Sequence, residues 1–146
     1  MKKLIVVIGL PGSGKSHYVH ELHDIGTAGW ICEDFHANAY RNSSHPADSR
    51  YLAALIEHLQ KGTVCAVADI AFCDPARREE FEDEIRMRVA DLEIEFHCFE
   101  NSKEYCAENV ERRGRETVAN EKALINKFSP LYEFPHNAKI LPVYQK

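Results

Sequence analysis

Leu4-Ile-Val-Val-Ile-Gly-Leu-Pro-Gly-Ser-Gly-Lys-Ser16 is the stretch on which the fold turns. Its first five residues are apolar and mostly β-branched, the mark of a strand covered on both faces. The next eight, Gly9 to Ser16, fit G-x-x-x-x-G-K-[ST], a phosphate-binding pattern, and His17 to Leu22 can form the helix that must follow it. Gly9, Gly12 and Gly14, with Pro11 and Ser13 between them, let the backbone bend until successive N–H groups face inward. The helix N-terminus adds a positive field. Lys15 then reaches β- and γ-phosphates, the Ser16 hydroxyl can ligate magnesium, and His17 stands beside them in the first helical turn. The expected ligands are a nucleoside triphosphate, ATP, and Mg²⁺.

Outward from this stretch, strands and helices alternate. Gly26 and Gly29 bracket a turn into a short strand, Trp30-Ile-Cys32, which ends in Glu33-Asp34. A polar run from Asn38 to Ser49 precedes a helix near 49–60, where Leu52, Leu55, Ile56 and Leu59 share one face. Thr63 to Ala68 is a third strand closed by Asp69. Asp74-Pro75 starts a helix, with Asp as N-cap and Pro in the first turn. Phe81, Ile85, Val89 and Leu92 form its apolar stripe. Leu92 to Phe99 alternates as a strand, Ser102 caps a helix to Arg113, and a further helix is expected at about 120–132. Lys139 to Tyr144 is a final strand, and Pro142 places it at a sheet edge or strand end. The pattern predicts one α/β domain over residues 1–146, three layers around a mostly parallel sheet of about five strands, the P-loop NTPase fold.

Composition narrows the function classes. With 45% hydrophobic and 28% charged residues, the 146-residue chain has the balance of a soluble globular protein. Its longest apolar run is far too short to span a membrane. Met1-Lys-Lys leads directly into the first strand, so a cleaved leader would destroy the loop and a cytoplasmic location is expected. The five cysteines are odd in number and never form C-x-x-C, so reduced core thiols are expected instead of disulfides or zinc. A net charge of −5 argues against a dedicated binder of long nucleic acid, which would be basic.

Ligands of parallel α/β sheets sit beyond the carboxyl ends of the strands. Glu33, Asp34 and Asp69 fall there. Asp69 closes an apolar strand and is assigned to Mg²⁺ or its hydration shell; a cap at a strand–helix junction is the other reading. Glu33 and Asp34 are neighbours and face opposite ways, so one of them is expected to orient or deprotonate an acceptor hydroxyl, unless both are solvated turn residues. Arg112-Arg113-Gly114-Arg115 opens a lid-like segment at about 112–120, with Arg113 and then Arg112 stabilising transferring charge. Favourable charge at a helix C-terminus is the alternative. His17, His20 and His23 drift around the helix and are assigned to its surface. Arg77-Arg78 is taken as a solvated face, although Arg78 could reach the site.

Met1 to Ser16 also resembles the start of the small P-loop kinases that include the bacteriophage polynucleotide 5′-kinase domain and zeta-toxin-like enzymes. Weaker likeness runs through Glu33-Asp34-Phe35-His36, Asp69, Pro75-Ala-Arg-Arg78 and Arg112-Arg113-Gly114. That family carries an R-D-D-x-R-like motif after its second strand. The resemblance implies Glu33 as base, Asp34 as the following acid and His36 in place of an arginine that holds substrate phosphate. The chain departs from the family at Cys32, Glu33 and His36, at His17 where threonine is usual, and at Asp69-Ile-Ala where D-T-N is usual. The implied activity is Mg²⁺-dependent transfer of the ATP γ-phosphate to a hydroxyl on a small molecule or a nucleic-acid end, with a short acceptor region at about 35–61. A nucleotide-binding or slow NTPase module that acts through a partner, and a nucleoside or nucleotide kinase proper, stay open.

Overall fold

The structure is a computed structural model that describes residues 2–33, 35 and 50–143. The elements in chain order are β1 (Lys2–Ile8), α1 (Lys15–Asp24), β2 (Trp30–Cys32), α2 (Arg50–Gln60), β3 (Cys65–Ala68), a 3₁₀ turn (Ile70–Cys73), α3 (Pro75–Arg88), β4 (Leu92–Phe99), α4 (Lys103–Arg113), α5 (Val118–Phe128) and β5 (Lys139–Leu141). The five strands form one sheet in the order β2-β3-β1-β4-β5, and every neighbouring pair is parallel. β1 is central, with Val7 opposite Ala68 of β3 and His97 of β4. The loop that follows β1 therefore leaves the middle of the sheet at its carboxyl edge. Asp69 leaves the adjacent strand at the same edge.

Alternation along β1 divides the core. Leu4, Val6 and Ile8 face a large cluster with Leu52, Leu55 and Leu59 of α2, Phe81 and Ile85 of α3, Cys106 and Val110 of α4, and Ile125 and Phe128 of α5. Ile5 and Val7 face a smaller one with Val19 and Leu22 of α1, Ala66, Ala68 and Phe99. Helices thus cover both faces, the three-layer arrangement expected, and strands covered twice need continuous apolar sequence. No helix among the described residues is long and apolar enough to cross a membrane. All five cysteines are buried, and none is joined in a disulfide. Burial pushes the thiols of Cys65 and Cys73 up to about 12 and those of Cys98 and Cys106 up to about 11, which keeps them protonated and inert.

Local signals account for the boundaries. Asp74 caps α3 by accepting from the Ala76 amide at 3.0 Å, with Pro75 in the first turn. That helix stops at Arg88, so Val89 and Leu92 keep their burial but sit beyond it. Ser102 takes the cap position of α4 without a side-chain cap bond. α5 begins at Val118 and ends at Phe128, earlier at both ends than its apolar spacing suggested. β5 stops at Leu141, before Pro142, and is an edge strand.

Candidate functional site

The loop is built against α4. Gly12 has φ +84°, and a Cβ there would lie 2.4 Å from the Cys106 carbonyl oxygen and 3.0 Å from Cγ2 of Val110. From the next turn of α4, Nδ2 of Asn109 donates to the Gly12 carbonyl at 2.9 Å. The Ser13 amide donates to Leu10 O at 3.1 Å, closing the bend, and Ser13 itself is fully buried. Its hydroxyl has no hydrogen-bond partner. Lys15 folds back along the loop, its ammonium 3.1 Å from the same Leu10 carbonyl. α1 starts at Lys15, so its first amides open toward the bend.

The loop floors a cavity of about 540 Å³ lined by Gly12, Gly14, Lys15, Ser16 and His17, by Asn109, Arg112, Arg113 and Arg115, and by Ile70, Glu121 and Leu124. Four cationic side chains meet one carboxylate on its wall, a charge balance suited to a polyanion. Arg112 donates to Oδ1 of Asn109 at 3.2 Å. Arg113 and Arg115 both turn toward Oε1 of Glu121, at 3.3 and 3.9 Å. Residues of the Gly9–Ser16 loop and the arginines at 112, 113 and 115, separated by about a hundred positions in sequence, therefore line a single cavity.

The other expected residues are placed as follows. Asp69 is 3% exposed, and its Oδ1 accepts from the Ala71 amide at 2.8 Å, so it caps the 3₁₀ turn at the end of β3. Glu33 follows β2, but its carboxylate pairs with His20 on the exposed side of α1 and is not among the cavity's lining residues. Asp34 and His36 lie outside the described residues, as does most of the expected acceptor region. His17, His20 and His23 are exposed on α1, and the described residues contain no cluster able to hold a metal on His, Cys, Asp and Glu alone. Arg78 is a correction. Far from a solvated face, it is buried, and its guanidinium donates to the carbonyls of Phe72 at 2.9 Å and Glu133 at 3.2 Å, behind the Asp69 turn.

A profile of the AAA domain family matches residues 4–131. The chain belongs to that family. Its fold is shared by a gluconokinase from Sinorhizobium meliloti 1021, 21% identical, with a TM-score of 0.65 over 99% of this chain and 85% of that one. It is shared by Chaetomium thermophilum Kti12, solved with ADP-AlF3, at 18% identity and a TM-score of 0.61 over 95% and 88%. A fungal RNA kinase matches at 13% identity, with a TM-score of 0.62 over 99% and 76%. At these identities the likeness is one of fold.

Within this AAA-domain chain, Asn109, Glu121, Ile70 and Leu124 are lining residues that the sequence did not single out, while Arg115 stood in the expected arginine run without a role of its own. Asn109 lies three positions before Arg112 on one helix face, so the arginine could have led to it. Glu121 had no such signal, because only the packing of α5 on α4 brings it to the cavity.

The residues present fit a nucleoside triphosphate with magnesium. A buried hydroxyl at Ser13 in the bend lacks a partner, and four cations converge on the cavity that the bend floors. The hydroxyl of Ser16 and the carboxylate of Asp69 are hard oxygen donors of the kind magnesium takes.

Proposed function

We propose that this protein is a kinase that binds ATP with Mg²⁺ in the 540 Å³ cavity and phosphorylates a hydroxyl group. The observation that carries the reading is the convergence of Lys15 with Arg112, Arg113 and Arg115 on one cavity floored by the Gly9–Ser16 loop. Bound there, ATP supplies the phosphoryl group and Mg²⁺ neutralises part of its charge. Lys15 and the loop amides hold the phosphates. Ser16 and Asp69 hold the metal or its water. Arg113, with Arg112, offers planar donors to the charge that builds on the moving phosphoryl group. Glu33 or Asp34, beyond β2, orients the acceptor and takes its proton.

The acceptor is a small hydroxyl compound or a nucleic-acid end. The acidic net charge supports the first, and the folds of a gluconokinase and an RNA kinase are compatible with either. One observation favours a second reading, a nucleotide-binding module without acceptor: the Glu33 carboxylate is engaged by His20.

The test is transfer of labelled γ-phosphate from ATP–Mg²⁺ to pooled sugars, nucleosides and 5′-hydroxyl oligonucleotides. Label entering one pool, lost in Lys15→Ala and in either Glu33→Gln or Asp34→Asn, supports the kinase. Nucleotide binding without transfer to any pool favours the module. Absence of nucleotide binding refutes both.

A further inference from the structure

Among the described residues that line the cavity, Glu121 is the only carboxylate, and it faces the cationic side chains of Lys15, Arg112, Arg113 and Arg115 on the same wall. Its side chain is only 15% exposed. One oxygen, Oε1, receives both Arg113 and Arg115, at 3.3 and 3.9 Å. The other, Oε2, is buried and has no hydrogen-bond partner. Two guanidinium groups therefore share one oxygen at distances longer than the 2.7–2.9 Å typical of charge-assisted bonds, while the second oxygen goes unused. A carboxylate with one buried oxygen left idle is an unfavourable partner to keep. A phosphate group offers several charged oxygens and takes the guanidinium fork bidentately, so it outcompetes such a carboxylate.

Nearby contacts separate this pair from the general scaffolding. Arg112 is held by Asn109 instead. α4 and α5 are also joined by the ion pair of Lys122 with Glu111, neither of which lines the cavity. The helix pair is thus tied together without Glu121, whose two contacts are to cavity arginines.

We propose that Glu121 is a resting counter-ion for Arg113 and Arg115: it holds both arginines at the cavity wall until the outer phosphates of a nucleotide displace it, and takes them back when those phosphates leave. This deepens the proposed function and rests on its nucleotide site. Glu121 is a positioning residue that acts through the arginines, and its charge competes with the ligand's.

The consequence is measurable in binding. Calorimetric titration with the non-hydrolysable ATP analogue adenylyl imidodiphosphate, with Mg²⁺, and in parallel with AMP, separates the contributions. Glu121→Gln tightens the triphosphate analogue about two- to fivefold, the size of a partly exposed ion pair, and leaves AMP unchanged. Glu121→Asp, which retracts the carboxylate from both arginines, shifts the same ratio in the same direction by less. In an Arg113→Ala/Arg115→Ala background the Gln substitution has no effect, because the residue acts only through them. Glu111→Gln breaks the neighbouring ion pair and leaves both affinities as they were.

Weaker triphosphate binding in Glu121→Gln, equal shifts for triphosphate and AMP, or an effect that survives loss of both arginines overturns the proposal. If wild-type protein binds the analogue and any of these follows, the counter-ion role falls and the nucleotide site stands. If wild-type protein binds neither ligand, the nucleotide site itself falls and takes this role with it.

Discussion

Replacing Gly12 by alanine tests the joint between the loop and α4. Two separate costs are expected. The first is conformational: φ is +84°, and an L-residue in left-handed backbone costs about 1–2 kcal/mol. The second is steric, since the new Cβ would stand 2.4 Å from the Cys106 carbonyl oxygen, a helix backbone atom that cannot swing aside. Overpacking of this kind costs about 1–3 kcal/mol. Gly26→Ala isolates the first, because Gly26 has φ +81° and nothing within 4 Å of its would-be Cβ. A chain of 146 residues unfolds with an entropy of about 0.3 kcal/mol/K, so Gly26→Ala lowers Tm by roughly 3–7 °C and Gly12→Ala by roughly 7–17 °C. If the loop yields instead of the helix, part of the Gly12→Ala loss moves from Tm into nucleotide affinity. Both are therefore read, by thermal melting and by titration with the ATP analogue. Equal melting of the two variants, together with wild-type affinity in Gly12→Ala, would refute the close packing of loop on helix.

Asn109→Ala removes the donor to the Gly12 carbonyl, a single part-buried bond worth about 1 kcal/mol, and should weaken the triphosphate analogue roughly fivefold in the same titration. Tyr132→Phe removes a buried hydroxyl that donates to the Phe99 carbonyl, with the Ile8 carbonyl 3.3 Å away, so it leaves the carboxyl ends of β1 and β4 short of a donor. A loss of about 1–3 kcal/mol, seen as a Tm drop of several degrees, is expected, and an unchanged melt contradicts it. His97 makes stability pH-dependent. Burial lowers its pKa, the hydrogen bond it donates to the Glu95 carboxylate partly opposes this, and the Lys139 and Lys3 charges add to the lowering. Its Nδ1 lies 2.6 Å from the Tyr18 hydroxyl and its Nε2 3.1 Å from Glu95. The unfolded chain takes up this proton near pH 6.5 and the folded chain only below that, so stability is full above about 6.5 and declines as pH falls toward the lowered value. His97→Gln should flatten that part of a Tm-against-pH curve between 7.5 and 5.5, and an unaltered slope would assign the dependence to other groups.

The sequence located what contiguous residues determine. β2 and β4 begin and end where their apolar runs do, and Asp74-Pro75 marks the start of α3, because strand pattern and caps act within a few residues. α5 was displaced since its ends depend on packing against α4 and the 3₁₀ turn, which propensity does not carry. Arg78 was mistaken for a surface residue for a similar reason. In the run Ala76 to Glu80 nothing local distinguishes the arginine that goes outward from the one whose guanidinium satisfies the Phe72 and Glu133 carbonyls. That distinction exists only once the 3₁₀ turn and the segment around Glu133 meet over α3.

The same division explains the uneven legibility of the site. The bend between β1 and α1 is set by eight consecutive residues, so its position at Gly9 to Ser16 was legible in the sequence. The arginines at 112, 113 and 115 were visible as a cluster, but their service to this cavity depends on α4 packing against Gly12. Glu121 carries no signature, since an acid in the first turn of a helix ordinarily complements the helix dipole. Only the convergence of α4 and α5 turns it toward Arg113 and Arg115. Acceptor recognition is harder still. It needs a carboxylate at one point in space and can recruit it from whichever segment the fold brings there, so Glu33, although it closes the expected strand, can be drawn to His20 without disturbing anything around the loop. Under the proposed function, nucleotide binding and choice of acceptor are therefore separable, and variants at Glu33 should alter transfer while leaving nucleotide affinity intact.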